Sequence, residues 1–412
     1  MNYTYAIIGG GLAAGYAAQV FADANPAPQQ VAIFSKEGVP PYDRPPLSKD
    51  YLAGKKNAAD TLINDPDFYT NNHIELYLNT PVTGVDLDKR QLFTEKGTFG
   101  FKKLLIATGA KPRTFNDLPG VDLAGIHYLR RLTDARNIRT EMADAERAVV
   151  IGGSFIGMEV AAVLAGKGIA TTLTFPEDRV WEAFFTPAMS HFFSSYYEER
   201  GVTILPGTKI EGFSGENGRV RAVRLAQGKS LPADFVVAGI GVTPNLELFQ
   251  GTPLQMNEGI LVNRFLETNV PGVFAVGDVA EYRDVIFDTT RRVEHWDNAY
   301  QQGRQAAAAM LGERTVFKHV PYFFSDVFDL SYEFWGDPQG ADTIIHRGDM
   351  TNGRFSVWWL QDAKLKAAFV MNRPDEEREL APQWIESGVD ISTARLTNVE
   401  QPLTAATENV AA

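Results

Sequence analysis

Two short apolar strands, each breaking into a glycine-rich turn and then a helix, constrain this chain more than any other feature. The first is Tyr5-Ala6-Ile7-Ile8, followed by Gly9-Gly10-Gly11-Leu12-Ala13-Ala14-Gly15 and an alanine-rich helix expected to end near Ala22. The second is Ala148-Val149-Val150-Ile151, then Gly152-Gly153-Ser154-Phe155-Ile156-Gly157 and a helix through Glu159, Ala161 and Leu164. A strand that turns abruptly into a helix needs backbone without side chains at the bend, and the helix then points unpaired N–H groups and the positive end of its dipole past the turn. The ligand that matches such a cradle is a pyrophosphate. Gly9 permits the bend, Gly11 lets a phosphate approach the backbone, and Ala14 keeps the helix close to its strand. In the second copy Gly152, Gly153 and Gly157 repeat the pattern around Phe155 and Ile156. Ser154 replaces the middle glycine there, which allows the turn and shifts the pyrophosphate slightly.

Each motif is followed by a second strand and an acid. Val31-Ala32-Ile33-Phe34 ends near Glu37, roughly twenty residues downstream, where a carboxylate binds a ribose hydroxyl. The strand Ala170 to Phe175 runs into Glu177, placed to take an adenosine ribose 2′-OH and so to favour NADH. Arg179 is the competing signal, toward the 2′-phosphate of NADPH. Two dinucleotide folds on one chain imply one site for FAD and one for NAD(P)H, since a flavin in one accepts hydride from a nicotinamide in the other. The assignment comes from Asn269 to Asp278, read as a buried strand ending in Gly277-Asp278, where Asp278 accepts a bond from a ribityl hydroxyl. Leu104-Leu105-Ile106-Ala107-Thr108-Gly109 is a similar strand end, and both are read as closing the FAD domain.

At 412 residues the chain is too long for one core. Its 44% hydrophobic and 22% charged residues are those of a globular protein. No apolar run approaches about 18 residues, so no membrane span is expected. The opening Met1-Asn2-Tyr3-Thr4-Tyr5 lacks a basic secretory start, and a cytoplasmic location is the expectation. A formal charge of −12 argues against nucleic acid and anionic membrane as partners. There are no cysteines, which removes disulfide relays, thiolate nucleophiles and iron–sulfur clusters together. The six histidines are scattered, and no metal site is expected.

Taken with these motifs, the chain resembles the flavoprotein reductases that carry two dinucleotide-binding domains, the group of glutathione reductase, oxygenase-type ferredoxin reductases and apoptosis-inducing factor. The segment Pro40-Pro41-Tyr42-Asp43-Arg44-Pro45-Pro46-Leu47-Ser48-Lys49 is similar to the cysteine-free branch. Monodehydroascorbate reductase is the nearest resemblance, through Ser35-Lys36-Glu37, Arg291-Arg292-Val293-Glu294-His295, Val320-Pro321-Tyr322-Phe323-Phe324-Ser325 and Phe328 to Asp337. Read alone, the aromatic spacing of that last run is equally that of a small sheet's core.

The resemblance implies FAD contacts at Glu37, Arg44, Lys49, Val82, Thr108, Gly109, Arg130, Gly277, Asp278 and Trp296. It implies NAD(P)H contacts at Glu177, Gly241, Glu294 and His295 beside the second turn. It pairs Lys49 with Glu159 next to the flavin and lays Trp296 against the ring, so Lys49, Glu159 and Trp296 are the candidate catalytic residues. Two departures matter: where the plant enzymes hold the anionic ascorbyl radical with arginines, this chain has Tyr300 and Asp326, with Arg291, Arg292 or Arg304 as the compensating candidates.

The expected fold is α/β: two Rossmann-like three-layer domains, for FAD and NAD(P), and a C-terminal α/β domain. The FAD domain is discontinuous, residues 1–117 and 244–318, around an NAD(P) domain at 118–243, with a return crossing at Gly239 to Asn245. Residues 319–412 follow, ending in a loose tail from Leu403. The leading expectation is an FAD-dependent reductase carrying electrons from NADH to a small organic acceptor, a radical or a quinone. A reductase of a ferredoxin-like protein is the alternative, and a redox-sensing binding protein like apoptosis-inducing factor is a third.

Overall fold

A computed structural model describes residues 1–407. They fall into two compact units: Met1–Asp43, Ala59–Lys111 and Thr243–Tyr322 form the first, and Arg44–Ala58, Pro112–Val242 and the residues from Phe323 onward form the second.

The first unit is built on five parallel strands in the order Ile74–Tyr77, Val31–Phe34, Asn2–Ile8, Gly97–Ile106 and Val273–Ala275. Strands covered on both faces read as continuous apolar runs rather than alternating ones, as Val31–Phe34 and Leu104–Ile106 do. The register sets Phe34, Ile8, Ile106 and Ala275 in one row. Ser35, Gly9, Ala107 and Val276 therefore leave the sheet at the same edge, where ligands of open α/β sheets bind. An antiparallel pair, Gln91–Thr94 and Val82–Asp86, extends from the first half of Gly97–Ile106. The helices Leu12–Asp23 and Trp296–Leu311 pack closely because their facing residues are small: a Cβ on Gly303 would lie 2.4 Å from the Ala13 carbonyl oxygen.

The second unit repeats the plan with Val202–Leu205, Ala170–Thr174, Arg147–Ile151, Phe235–Ala238 and Ile126–Tyr128, all parallel. Its helix Phe155–Gly166 carries a nearly all-apolar sequence and is buried through most of its length. The same unit contains a five-stranded antiparallel sheet in the order Tyr322–Val327, Leu330–Gly336, Lys364–Met371, Arg354–Gln361 and Thr343–Asp349, with the helix Asp375–Ser387 against it. Aromatic packing ties that sheet to the parallel one: Phe323 meets the Phe155 ring edge-on at 4.7 Å and stacks on Trp181 at 6.0 Å, while Tyr332 meets Phe185 at 5.9 Å. The aromatic spacing within Phe328 to Asp337 is thus that of a core strand, with Tyr332 and Phe334 buried.

Three features differ from the sequence expectation. Residues 44–58 and 112–117, expected within 1–117 of the FAD domain, group with the second unit, where Ser48 and Lys49 meet Glu159, Tyr51 meets Arg139 and the Arg113 N–H bonds the Gly241 carbonyl. The strand expected over Asn269 to Asp278 is only Val273–Ala275, and Gly277–Val279 is a 3-10 turn, since Pro271 and Gly272 start a turn rather than a strand. The tail from Leu403 is not loose as far as Thr407. It forms a 3-10 turn with Leu403 and Ala406 buried, held in part by the buried Arg347 guanidinium, which donates to the carbonyls of Leu396, Asn398 and Gln401. The rest of the expected tail, residues 408–412, lies outside the described residues.

Candidate active site

At the sheet edge of the first unit the glycine-rich turn is closed by backbone contact. Gly9 has φ +110, and a Cβ there would lie 2.2 Å from the Ala107 carbonyl oxygen; a Cβ on Gly10 would lie 2.3 Å from Ser35 Oγ. Gly11 is the N-cap of Leu12–Asp23, in extended conformation. Among the described residues no side chain caps that helix and its first turn holds no acid. A bare, positively polarised helix end beside a turn with no room for side chains is the cradle a pyrophosphate needs. Ala14 is fully buried between helix and strand.

The other expected FAD residues of this unit gather around the same row of strand ends. Glu37 follows Val31–Phe34 and accepts a hydrogen bond from Tyr42 Oη at 2.6 Å. Thr108 and Gly109, past Ile106, are bound to Asn245: its Nδ2 donates to the Thr108 carbonyl at 2.8 Å and its N–H to the Gly109 carbonyl at 2.9 Å. Gly277, with φ +71, donates its N–H to Gln302 Oε1 at 2.8 Å, and Asp278 beside it is buried. Val82 opens the strand Val82–Asp86.

Trp296 opens the helix Trp296–Leu311. Its indole N–H donates to Asp43 Oδ1 at 2.8 Å, and its ring lies parallel to Tyr300 at 5.4 Å and 4°. Tyr16 stands edge-on to both rings. Glu294 pairs with Arg292 at 2.5 Å, and the same guanidinium nitrogen donates to the Asp278 carbonyl. His295 is the N-cap residue; burial pushes its imidazole down to about 4, against the opposing pull of Asp278 and Asp297. Asp297 is itself bonded to His319.

In the second unit the turn is tighter still. Gly152 has φ +124, with the Gly239 carbonyl oxygen 2.3 Å from where its Cβ would be, and a Cβ on Gly157 would lie 1.8 Å from the Gly152 carbonyl oxygen. Gly153 packs on the Phe175 ring. Ser154 takes the N-cap position of Phe155–Gly166 without its hydroxyl bonding the helix, and that end again carries no first-turn acid. Gly241, with φ +95, accepts from the Arg113 N–H. Glu177 is exposed beyond the strand Ala170–Thr174. Arg179, in contrast, is engaged: it donates to the Phe185 carbonyl at 2.5 Å, Ser190 Oγ at 3.0 Å and the Glu182 carbonyl at 3.2 Å.

The same unit brings Lys49 and Glu159 together. Lys49 Nζ lies 3.0 Å from Glu159 Oε1, with the two side chains only 12% and 6% exposed. Arg44 donates to the Arg130 carbonyl at 2.5 Å, so these two expected FAD contacts are neighbours. Asp326 is exposed on the strand Tyr322–Val327, and Tyr300 belongs to the aromatic stack on Trp296.

Sequence reasoning missed the groups that complete these contacts. Ser48 and Ser325 both donate to Glu159, Phe324 lies under Lys49, Asp43 holds Trp296 and Gln302 holds Gly277. Ser48 adjoins Lys49 in a 3-10 turn and was within reach of inspection. Ser325 lies 166 residues from Glu159, and nothing in the local sequence marks it.

Two parallel sheets, each with a bare helix end over a glycine turn, define a two-dinucleotide flavoprotein reductase. Comparison with known proteins agrees. Residues 3–303 match the family described as pyridine nucleotide-disulphide oxidoreductase, and residues 322–407 match a reductase C-terminal domain. The chain is 39% identical to a peroxisomal monodehydroascorbate reductase of Oryza sativa subsp. japonica, covering 92% of this chain and 83% of that protein. It is 35% identical to the chloroplastic/mitochondrial enzyme of Arabidopsis thaliana, covering 98% and 86%. Among solved structures it superposes on the reductase of a covalent putidaredoxin reductase–putidaredoxin complex with a TM-score of 0.93 and 34% identity, covering 99% of both chains. A ferredoxin reductase of Rhodopseudomonas palustris gives a TM-score of 0.92 at 30% identity, covering 98% and 99%. The chain belongs to the pyridine nucleotide-disulphide oxidoreductase family. It is an FAD-dependent NAD(P)H oxidoreductase, and with no cysteine in its sequence it works without the disulphide of the family's description.

Proposed function

We propose that the protein oxidises NADH and delivers the electrons to a small organic acceptor, a radical or a quinone, in the manner of monodehydroascorbate reductase. The observation that carries this reading is the buried Lys49–Glu159 pair, in a chain with no cysteine to relay electrons. When bound, NADH would supply a hydride and FAD would accept it and release the electrons to the acceptor.

The residues have the following roles in this reading. The turns at Gly9, Gly11 and Ala14 and at Gly152 to Gly157 hold the two pyrophosphates, and Arg44 and Arg130 are FAD contacts. Glu37 and Glu177 hold adenosine riboses, Asp278 the ribityl chain, and Val82, Thr108, Gly109 and Gly277 line the FAD site. Lys49 is the cation that stabilises anionic reduced flavin, and Glu159 orients it. Trp296 covers the flavin and shields it from water, its tilt set by Asp43 and Tyr300. Gly241, Glu294 and His295 serve the nicotinamide side, where a neutral His295 adds no charge. The ligand-binding division follows the sequence boundaries, FAD on 1–117 and 244–318 and NAD(P)H on 118–243.

NADH is favoured over NADPH because Arg179, the cation nearest Glu177 in sequence, is committed to Phe185, Ser190 and Glu182. A steady-state acceptor panel tests the reading. Turnover with quinones or enzymatically generated ascorbyl radical, and NADH used at least about tenfold better than NADPH, is the expected result. The similarity to a putidaredoxin reductase favours a second reading, reduction of a ferredoxin-like protein; turnover only when such a protein is present would replace the first reading with it. Slow turnover with every acceptor would leave the redox-sensing alternative.

A further inference from the structure

Glu159 is a carboxylate in an apolar helix, and a buried charge is retained only when its lone pairs are filled. The groups that fill them come from two separate stretches of the second unit, residues 48–49 and Ser325. Oε1 receives Lys49 Nζ at 3.0 Å and Ser325 Oγ at 2.6 Å, and Oε2 receives Ser48 Oγ at 2.5 Å. Ser325 is fully buried and Ser48 nearly so, so neither hydroxyl has bulk water as an alternative partner. Ser48 is fixed by the 3-10 turn Pro45–Ser48, Ser325 by the strand Tyr322–Val327. The neighbour of Ser325 on that strand, Phe324, places its ring 4.7 Å from Lys49 Nζ.

The consequence is geometric. A lysine has a long flexible stem and three equivalent donors, so one counterion bond leaves its ammonium free to swing. Here the carboxylate is pinned from both sides by hydroxyls, and an aromatic face lies against the cation, whose position is thereby defined to within the reach of one bond. We propose that Ser325 and Ser48, with Phe324, are positioning residues for hydride transfer: they lock Glu159, and through it the Lys49 ammonium, in the place where the cation acts. The C-terminal sheet thus contributes to the reductive step. This rests on the role given to Lys49 above.

The test is anaerobic stopped-flow reduction of the flavin in the holoenzyme by NADH and by NADH deuterated at the transferred position. Ser325→Ala is expected to lower the limiting reduction rate about tenfold, and Ser48→Ala similarly, because each removes one charge-assisted bond to the carboxylate. Phe324→Leu, which keeps an apolar contact and loses the ring, lowers it about threefold. The dissociation constant for NADH stays within about twofold and the primary isotope effect is retained or larger, a split that general loosening of the fold does not produce. Should Ser325→Ala fail to hold FAD, Ser48→Ala carries the test from the other side of the carboxylate. Parental limiting rates in both serine variants, beside a slow Lys49→Ala, overturn the proposal and leave the role of Lys49 standing. A parental rate in Lys49→Ala overturns both.

Discussion

Replacing Lys49 by methionine keeps most of the volume of the side chain and removes its charge, leaving Glu159 buried with two hydroxyl donors and no counterion. Removing one partner of a buried pair costs about 3–5 kcal/mol. The bonds from Ser48 and Ser325 persist and hold the cost near the lower figure, about 3 kcal/mol. For a unit of this size that is a fall in apparent melting temperature of roughly 6–12 °C. Adding Glu159→Gln to the same chain removes the stranded charge, and the amide still accepts from one serine and donates to the other. The double variant is therefore expected to regain most of the lost stability while remaining slow in flavin reduction, because the cation is gone from both. The assay is a thermal melt of the holoprotein at neutral pH with FAD at a fixed excess, since ligand concentration alone shifts a melting point. A Lys49→Met protein that melts within about 1 °C of the parent, or a double variant less stable than Lys49→Met, would refute the account of a buried pair.

Three further outcomes follow from other parts of the chain. Asp326→Arg combined with Tyr300→Arg installs the arginines that the resemblance to monodehydroascorbate reductase implies at these positions, and is expected to raise kcat/KM for ascorbyl radical by about tenfold or more, checked against an unchanged rate of flavin reduction by NADH. His295 is held neutral down to about pH 4 in the folded protein and protonates near 6.5 when unfolded; its contribution is constant above that value and stability falls as pH drops from 6.5 toward 4, so melts across that window should be less steep for His295→Gln. Arg347→Met strips the Leu396, Asn398 and Gln401 carbonyls of their donor and leaves Glu377 with Arg373 alone; residues 393–407 should then become accessible to protease, with a stability loss of about 3 kcal/mol, and an unchanged digestion pattern would count against it.

Both Gly-rich turns were legible because the constraint on them is local. A strand entering a helix over so few residues forces Gly9 and Gly152 to positive φ, and Gly157 has no room for even a methyl group, so the sequence carries the geometry in residue type. The apolar runs Val31–Phe34 and Val149–Ile151 announced strands covered on both faces for the same reason. Glu37 and Asp278 each lie three residues beyond the end of a strand whose register the parallel sheet dictates. Lys49 and Glu159 were paired by resemblance; no periodicity links residues 110 positions apart.

What only the tertiary structure decided was the set of partners that come from distant chain. Ser325 reaches Glu159, Asp43 reaches Trp296 and Arg347 reaches the tail through sheet packing and loop placement, and a lone serine or arginine in sequence carries no mark of such a destination. The same reason explains the segment 44–58, whose mixed composition marks neither unit and whose side chains meet Glu159 and Arg139 in the fold. Backbone strain is written in the residue that must bear it, whereas a hydrogen bond between distant residues is created by the fold that brings them within reach.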